Sequence, residues 1–215
     1  LKSMNVPLED RIDQIRVNLE RARWVLSNMG DRYVLVDIAG YRVFYRQDDT
    51  TVWSSRAQVG KPYRDTPVFR SRIDSIEINP TWTVPPTILK EDILPALKAD
   101  ARYLMKKNLD IIDAQGREVN PDRINWSLYP GRPFPYKLRQ KPGPDNPLGR
   151  IKILFPNKYM VYLHGTPSLE LFEHEERTFS SGCIRIEKPF ELAELLLDDS
   201  VHWNWESLMR ALESG

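Results

Sequence analysis

Cys183 is the only cysteine of the 215-residue chain, and it sits in Ser180-Ser181-Gly182-Cys183, small residues suited to a tight turn. Upstream, His164 closes an apolar run, Tyr159-Met160-Val161-Tyr162-Leu163, and Gly165 follows at once. After the cysteine, Ile184-Arg185-Ile186 alternates apolar and charged. Both flanks read as strands. Pairing those strands would bring thiol and imidazole together, and a base within hydrogen-bond reach is what a thiol nucleophile needs.

The residue types leave alternatives. An unassisted thiol, with a pKa of about 8.5, is only slightly ionised at neutral pH. His164 and the positive charge of Arg185 both favour the thiolate. The opposing reading is a buried, inert cysteine. The Ser-Gly flank argues against that, because the backbone N–H groups of such a turn, near Gly182 and Cys183, can form an oxyanion hole. Arg185, two residues beyond the thiol, shares its strand face. There it can clamp a substrate carboxylate or brace the turn by bonding backbone carbonyls. Tyr162 lies two before His164, on the same face, and Trp82 is a candidate for the substrate wall. His174, within Glu173-His174-Glu175-Glu176-Arg177, reads as exposed, and His202 as a structural member of a tail helix. Cys183, His164 and His174 lack zinc-site spacing, and no glycine-rich phosphate loop is present, so neither metal nor organic cofactor is expected.

Composition bounds the class. The chain is 41% hydrophobic and 28% charged with net charge +1, enough for one domain with an insertion and no demand for a polyanionic partner. The basic run Arg132, Lys137, Arg139 and Lys141, interleaved with Phe134 and Tyr136, resembles a nucleic-acid patch. The balanced charge instead favours a solvated lid or a surface facing an anionic polymer, and no nucleic-acid partner is expected. No apolar run of transmembrane length occurs. The start at Leu1-Lys2-Ser3 reads as a fragment. One cysteine leaves no internal disulfide and does not fix the compartment.

The elements that must position these residues follow in order. Leu8, Ile12, Ile15, Leu19, Ala22 and Leu26 form one helical stripe, begun by Pro7 and ended by Gly30, which predicts a lead-in helix in 1–30 packed on the sheet. Tyr33–Ile38, Tyr41–Arg46 and Thr51–Val59 read as a β-meander, and Phe69–Ile78 alternates until Asn79-Pro80. Residues 80–147 are rich in proline and read as an insertion, with one helix from about Glu91 to Asn108, serving as a lid or as an ordered excursion. Trp82, Trp126, Tyr129, Phe134 and Tyr136 would line a groove or form that insertion's own small core. Ile151–Phe155 is a strand, and 190–197 and 201–212 read as helices on the core.

His164-Gly165, a spacer, and then Ser180-Ser181-Gly182-Cys183-Ile184-Arg185 resembles the signature of the L,D-transpeptidases, the YkuD-type catalytic domain. The resemblance covers most of the chain after Gly30. Many members carry histidine where this chain has Ser181, which leaves the base on His164. The insertion with Asn79-Pro80-Thr81-Trp82 is similar to that of larger periplasmic members with a capping subdomain. The resemblance implies a mainly β, sandwich-like catalytic domain over 31–215, with flanking helices and an inserted α/loop capping subdomain at 80–147. It implies Cys183 as nucleophile, His164 as base oriented by the carbonyl of Gly165, and Gly182 in the oxyanion turn. Arg185, Tyr162, Ser181 and Trp82 are the expected substrate contacts. It further implies peptidoglycan tetrapeptide stems as donor and acceptor, acylation of Cys183 by carbapenems, and a periplasmic location. An L,D-carboxypeptidase, transfer to another amine, and a non-catalytic wall-binding module remain open. A papain-like protease is disfavoured, because its cysteine precedes its histidine. A reactive thiol–imidazole pair predicts an apparent thiol pKa well below the ordinary value.

Overall fold

The computed structural model describes residues 5–27, 29–100, 102–129, 133–199 and 201–214. Helix α1 (Leu8–Leu26) forms where the stripe predicts, but none of its residues is buried. Leu8, Ile15 and Leu19 stay more than half exposed, and only its C-terminal end, at Val25, borders a cleft shared with the first strand. The expected packing on the sheet is therefore corrected: periodicity predicts an apolar face but not what covers it.

The meander follows as β1 (Arg32–Asp37), β2 (Arg42–Gln47) and β3 (Thr50–Gly60), paired antiparallel. The run from Phe69 yields only β4 (Ser75–Ile78). Its first half is diverted: the Phe69 ring packs at a tilt against those of Phe155 and Tyr159, and the Ser71 hydroxyl donates to the Pro156 carbonyl.

Segment 80–147 holds more regular structure than its prolines suggest. After β5 (Trp82–Thr83), a helical stretch, 86–99, runs through α2 (Pro86–Ile88), a π-helical turn (Leu89–Ile93) and α3 (Leu94–Ala99). It begins earlier than Glu91 and stops at Asp100, whose carboxylate accepts from the Arg102 N–H just before α4 (Tyr103–Lys106). Strands β6 (Leu109–Ile112) and β7 (Lys137–Gln140) then build a three-stranded sheet with β5, order β5-β7-β6. Ile93, Leu97, Leu104, Leu109, Ile111 and Leu138 form a separate core against which Trp126, Tyr129, Phe134 and Tyr136 pack. The aromatics of segment 80–147 thus pack into a small core of its own. In the basic run, Lys141 pairs with Asp110 and Glu118, and Arg132 lies outside the described residues, as does Pro130.

The chain returns through β8 (Ile151–Leu154), β9 (Leu163–His164), β10 (Thr178–Ser180) and β11 (Ile184–Ile186), then α5 (Pro189–Leu197) and α6 (Trp205–Glu213). The main sheet runs β1-β2-β3-β11-β9-β8-β4, with β10 added on β3. Val43, Ala57, Ile151, Ile153, Leu163, Ile184 and Ile186 line one face, and Leu192 and Ala193 of α5 close that core. The fold is mainly β with flanking helices, as the resemblance implied. Helix α6 buries Leu208 and Leu212, but His202 precedes it in an exposed turn beside Asp199, not within a helix.

The apolar run before His164 is shorter as a strand than its residues suggest. The Asn157 amide donates to the carbonyls of Phe155 and Val161, and its oxygen accepts from the N–H groups of Tyr159 and Val161. A side chain that serves four backbone groups outcompetes the sheet there. It leaves Met160 at φ 55° and confines β9 to two residues.

Candidate active site

Strand β11 lies parallel to β9, with Ile184 opposite Leu163 and Arg185 opposite His164. Alternate residues of a strand point to opposite faces. Leu163, Ile184 and Ile186 enter the core, so Tyr162, His164, Cys183 and Arg185 share the other face. The juxtaposition expected from sequence is present. The register extends it: Gln58 of β3 stands opposite Arg185, Lys152 of β8 opposite His164, and Glu77 of β4 opposite Lys152. A polar row, Gln58–Arg185–His164–Lys152–Glu77, therefore crosses five strands beside the thiol.

The spacer between the two site segments is tied down by two arginines. Arg56 holds Glu187, Glu173 and the Phe172 carbonyl, and Arg177 donates to the carbonyls of Ala57, Tyr41 and His174. His174 itself is exposed, its ring against Phe179.

The imidazole is 4% exposed, and its Nδ1 lies 2.5 Å from the Gly165 carbonyl oxygen. A carbonyl only accepts, so the neutral ring carries its proton on Nδ1 and keeps its lone pair on Nε2. Burial, reinforced by Arg185 and Lys152, pushes the His164 pKa down to about 3, against the pull of the Gly165 and Leu148 carbonyls. His164 is a neutral base at physiological pH.

Cys183 is half-buried. Burial raises its pKa, outweighing the Tyr162 N–H and hydroxyl and the charges of Arg185 and Lys152, all of which favour the thiolate. The low thiol pKa expected from sequence is thus corrected: the resting site holds a thiol and a neutral imidazole, because desolvation outweighs the nearby cations. Sγ lies 3.9 Å from the Met160 carbonyl, and no hydrogen bond joins it to the His164 ring among the described residues. Tyr162 lies between the two groups: its ring is 5.5 Å from that of His164, Lys152 sits 5.0 Å over it, and burial, with Cys183 and Glu77 nearby, raises its own pKa.

The turn carrying the thiol is built by hydrogen bonds. Gly182 adopts φ 111°, a backbone conformation that side chains disfavour. Its N–H donates to the Ser180 hydroxyl at 3.1 Å, which donates in turn to the Cys183 carbonyl at 2.5 Å. Thr66 accepts from the Gly60 N–H and donates to the Gly182 carbonyl. The Gly182 N–H is therefore committed, and the Cys183 N–H, which has no partner among the described residues, is the donor left for an oxyanion. The Ser181 hydroxyl accepts from Arg64 at 3.0 Å.

Arg185 donates to the Gln58 side chain at 3.1 Å, while its Nε is buried without a partner. It bonds no backbone carbonyl, so it does not brace the turn, and no carboxylate pairs with it among the described residues. Burial lowers its pKa. It borders a cleft of about 610 Å³ between the main sheet and segment 80–147, lined also by Trp82, Asp92, Tyr103, Lys106 and Ser168. Trp82 and Arg185 thus line the same cleft. Arg64, Gln58, Lys152 and Thr66 are participants that sequence reasoning missed. Lys152 and Glu77 gave only the alternation of a half-solvated strand, which does not say that the polar face is enclosed.

Residues 31–202 match the L,D-transpeptidase catalytic domain family, YkuD, and the chain belongs to that family. A Haemophilus influenzae protein named as a candidate L,D-transpeptidase is 39% identical over 167 residues, 78% of this chain. The chain spans 34% of that relative's length. The NMR structure of the catalytic domain of an Enterococcus faecium L,D-transpeptidase, acylated by ertapenem, aligns over 74% of this chain and 84% of its own. Identity there is 14% and the TM-score 0.37.

Proposed function

We propose that the chain is the catalytic part of a peptidoglycan L,D-transpeptidase, working through a cysteine thioester and joining the diaminopimelate residues of two stems. The observation that carries this reading is the shared face of Cys183 and His164 across the β9–β11 pairing. Nε2 of His164 takes the thiol proton as Sγ attacks the carbonyl of the L,D peptide bond after diaminopimelate in a tetrapeptide stem. The Cys183 N–H receives the oxyanion, the C–N bond breaks, and D-Ala leaves with the proton from His164. A side-chain amine of a second stem then attacks the thioester. The C–N bond forms, the C–S bond breaks, and the thiol is restored.

Arg185, charged and short of an anion, suits a stem carboxylate in the cleft, with Trp82 on its lining and Tyr162 beside the thiol and imidazole. Segment 80–147 is read as a cap over that cleft. The reaction belongs where the wall polymer is, in the periplasm, and carbapenems are expected to acylate Cys183.

Mass spectrometry of products from a purified disaccharide-tetrapeptide tests the proposal. A dimer lacking one D-Ala, absent with Cys183→Ala, is the expected product. Tripeptide without dimer means hydrolysis instead, and unchanged substrate means a wall-binding module.

A further inference from the structure

Among the described residues, Arg64, in the loop after β3, is the one side chain whose hydrogen bonds join the nucleophile turn to segment 80–147. Its Nη1 donates to the Ser181 hydroxyl at 3.0 Å and to Asp92 Oδ2 at 2.7 Å. Its Nη2 donates to Asp92 Oδ1 at 3.2 Å and pairs with Glu91. The Arg64 side chain is 9% exposed while those of Glu91 and Asp92 are 52% and 44% exposed, so an enclosed guanidinium holds two carboxylates that are half in solvent. Glu91 and Asp92 are consecutive residues of the π-helical turn (Leu89–Ile93), an irregularity that often marks a functional position.

The same loop forms the seat of the thiol turn. A side chain at Gly182 would lie 3.6 Å from the Asp65 carbonyl and 3.8 Å from that of Arg64. Thr66 fixes the Gly182 carbonyl. On its other side, Asp92 lines the cleft that Arg185 borders. One guanidinium therefore holds a wall of the cleft and the residue two before the thiol.

We propose that Arg64 is a positioning residue that couples the seating of segment 80–147 to the geometry of Cys183. Occupancy of the cleft, by shifting Asp92, is transmitted through the fork to Ser181 and so to the thiol. The catalytic consequence rests on the transpeptidase reading, but the coupling can be measured without it.

The test is a double-mutant cycle read by the rate at which iodoacetamide alkylates Cys183. Asp92→Asn, Ser181→Ala and the double variant are compared with Arg64 intact and again with Arg64→Gln. Asp92 and Ser181 meet only through Arg64, so with Arg64 intact their effects should fail to multiply, by about fivefold, and with Arg64→Gln they should multiply independently. Asp92→Asn alone should speed alkylation by loosening the turn. Should Arg64→Gln fail to fold, Arg64→Lys replaces it, since an ammonium keeps the charge and loses the fork. Independent effects with Arg64 present, or an Asp92→Asn rate equal to that of the unmodified chain, overturn the proposal. Neither result depends on whether stems are cross-linked.

Discussion

Lys152 and His164 are register partners on β8 and β9, so a cation stands beside an imidazole that is almost fully enclosed. Lys152 is held by Glu77 at 2.8 Å, which keeps its charge occupied while still opposing protonation of the ring.

Stability should therefore fall with acid in a defined window. The folded pKa of His164, about 3, lies below its unfolded value of about 6.5, so the unfolded chain binds more protons between the two. The stability this group contributes is complete above the unfolded value and is lost as pH falls towards the folded one. The expected slope reaches about 1.4 kcal/mol per pH unit. Denaturant unfolding at several pH values measures it, and His164→Gln should flatten the curve. An unchanged slope in that variant would assign the loss to other groups.

The alkylation rate of Cys183 against pH should show a midpoint above the ordinary thiol value, since burial raises it. Tyr162→Phe removes a hydroxyl that favours the thiolate and should move the midpoint higher still. A midpoint near neutrality would instead reveal a preformed thiolate–imidazolium pair and contradict the neutral resting site.

Arg185→Gln should raise KM for stems ending in a free carboxylate by about 10- to 100-fold, the worth of a charge-assisted hydrogen bond. Stems ending in an amide should lose little. Equal losses on both would give Arg185 a role in holding Gln58 and the sheet rather than substrate.

Gly182→Ala and Gly60→Ala separate two kinds of strain. At Gly182 an added carbon meets nothing closer than 3.6 Å, so the cost is conformational, about 1–2 kcal/mol at φ 111°. At Gly60 the added carbon would collide with the Arg64 carbonyl and must displace the loop. Thermal unfolding should show the second as the more damaging, and a milder Gly60→Ala would mean that the loop yields easily.

The site pair was legible because its signals are local: a lone cysteine in a small-residue turn, and a histidine ending an apolar run. The meander and the last two helices were legible for the same reason. What escaped depends on contacts distant in sequence. Asn157 shortens β9 through its own side chain, and periodicity does not weigh that competition. The sheet of segment 80–147 joins strands of two and four residues, too short for alternation to register. The thiol pKa went the wrong way because sequence shows the cations but not the burial that outweighs them. Arg64 looked like one more charge in a proline-containing loop.

The pairing of β9 with β11 has a consequence for how the protein comes into being. It is parallel, joins only two residues on each strand, and its crossover is stapled by Arg56 and Arg177 to strands made much earlier. A chain emerging from the ribosome has its meander long before it has a thiol, and parallel closure is slow because it joins distant segments. The juxtaposition of Cys183 and His164 thus forms only after the meander has been made, and a chain truncated before Cys183 would lack both the thiol and β11, the strand that joins β3 to β9 in the sheet.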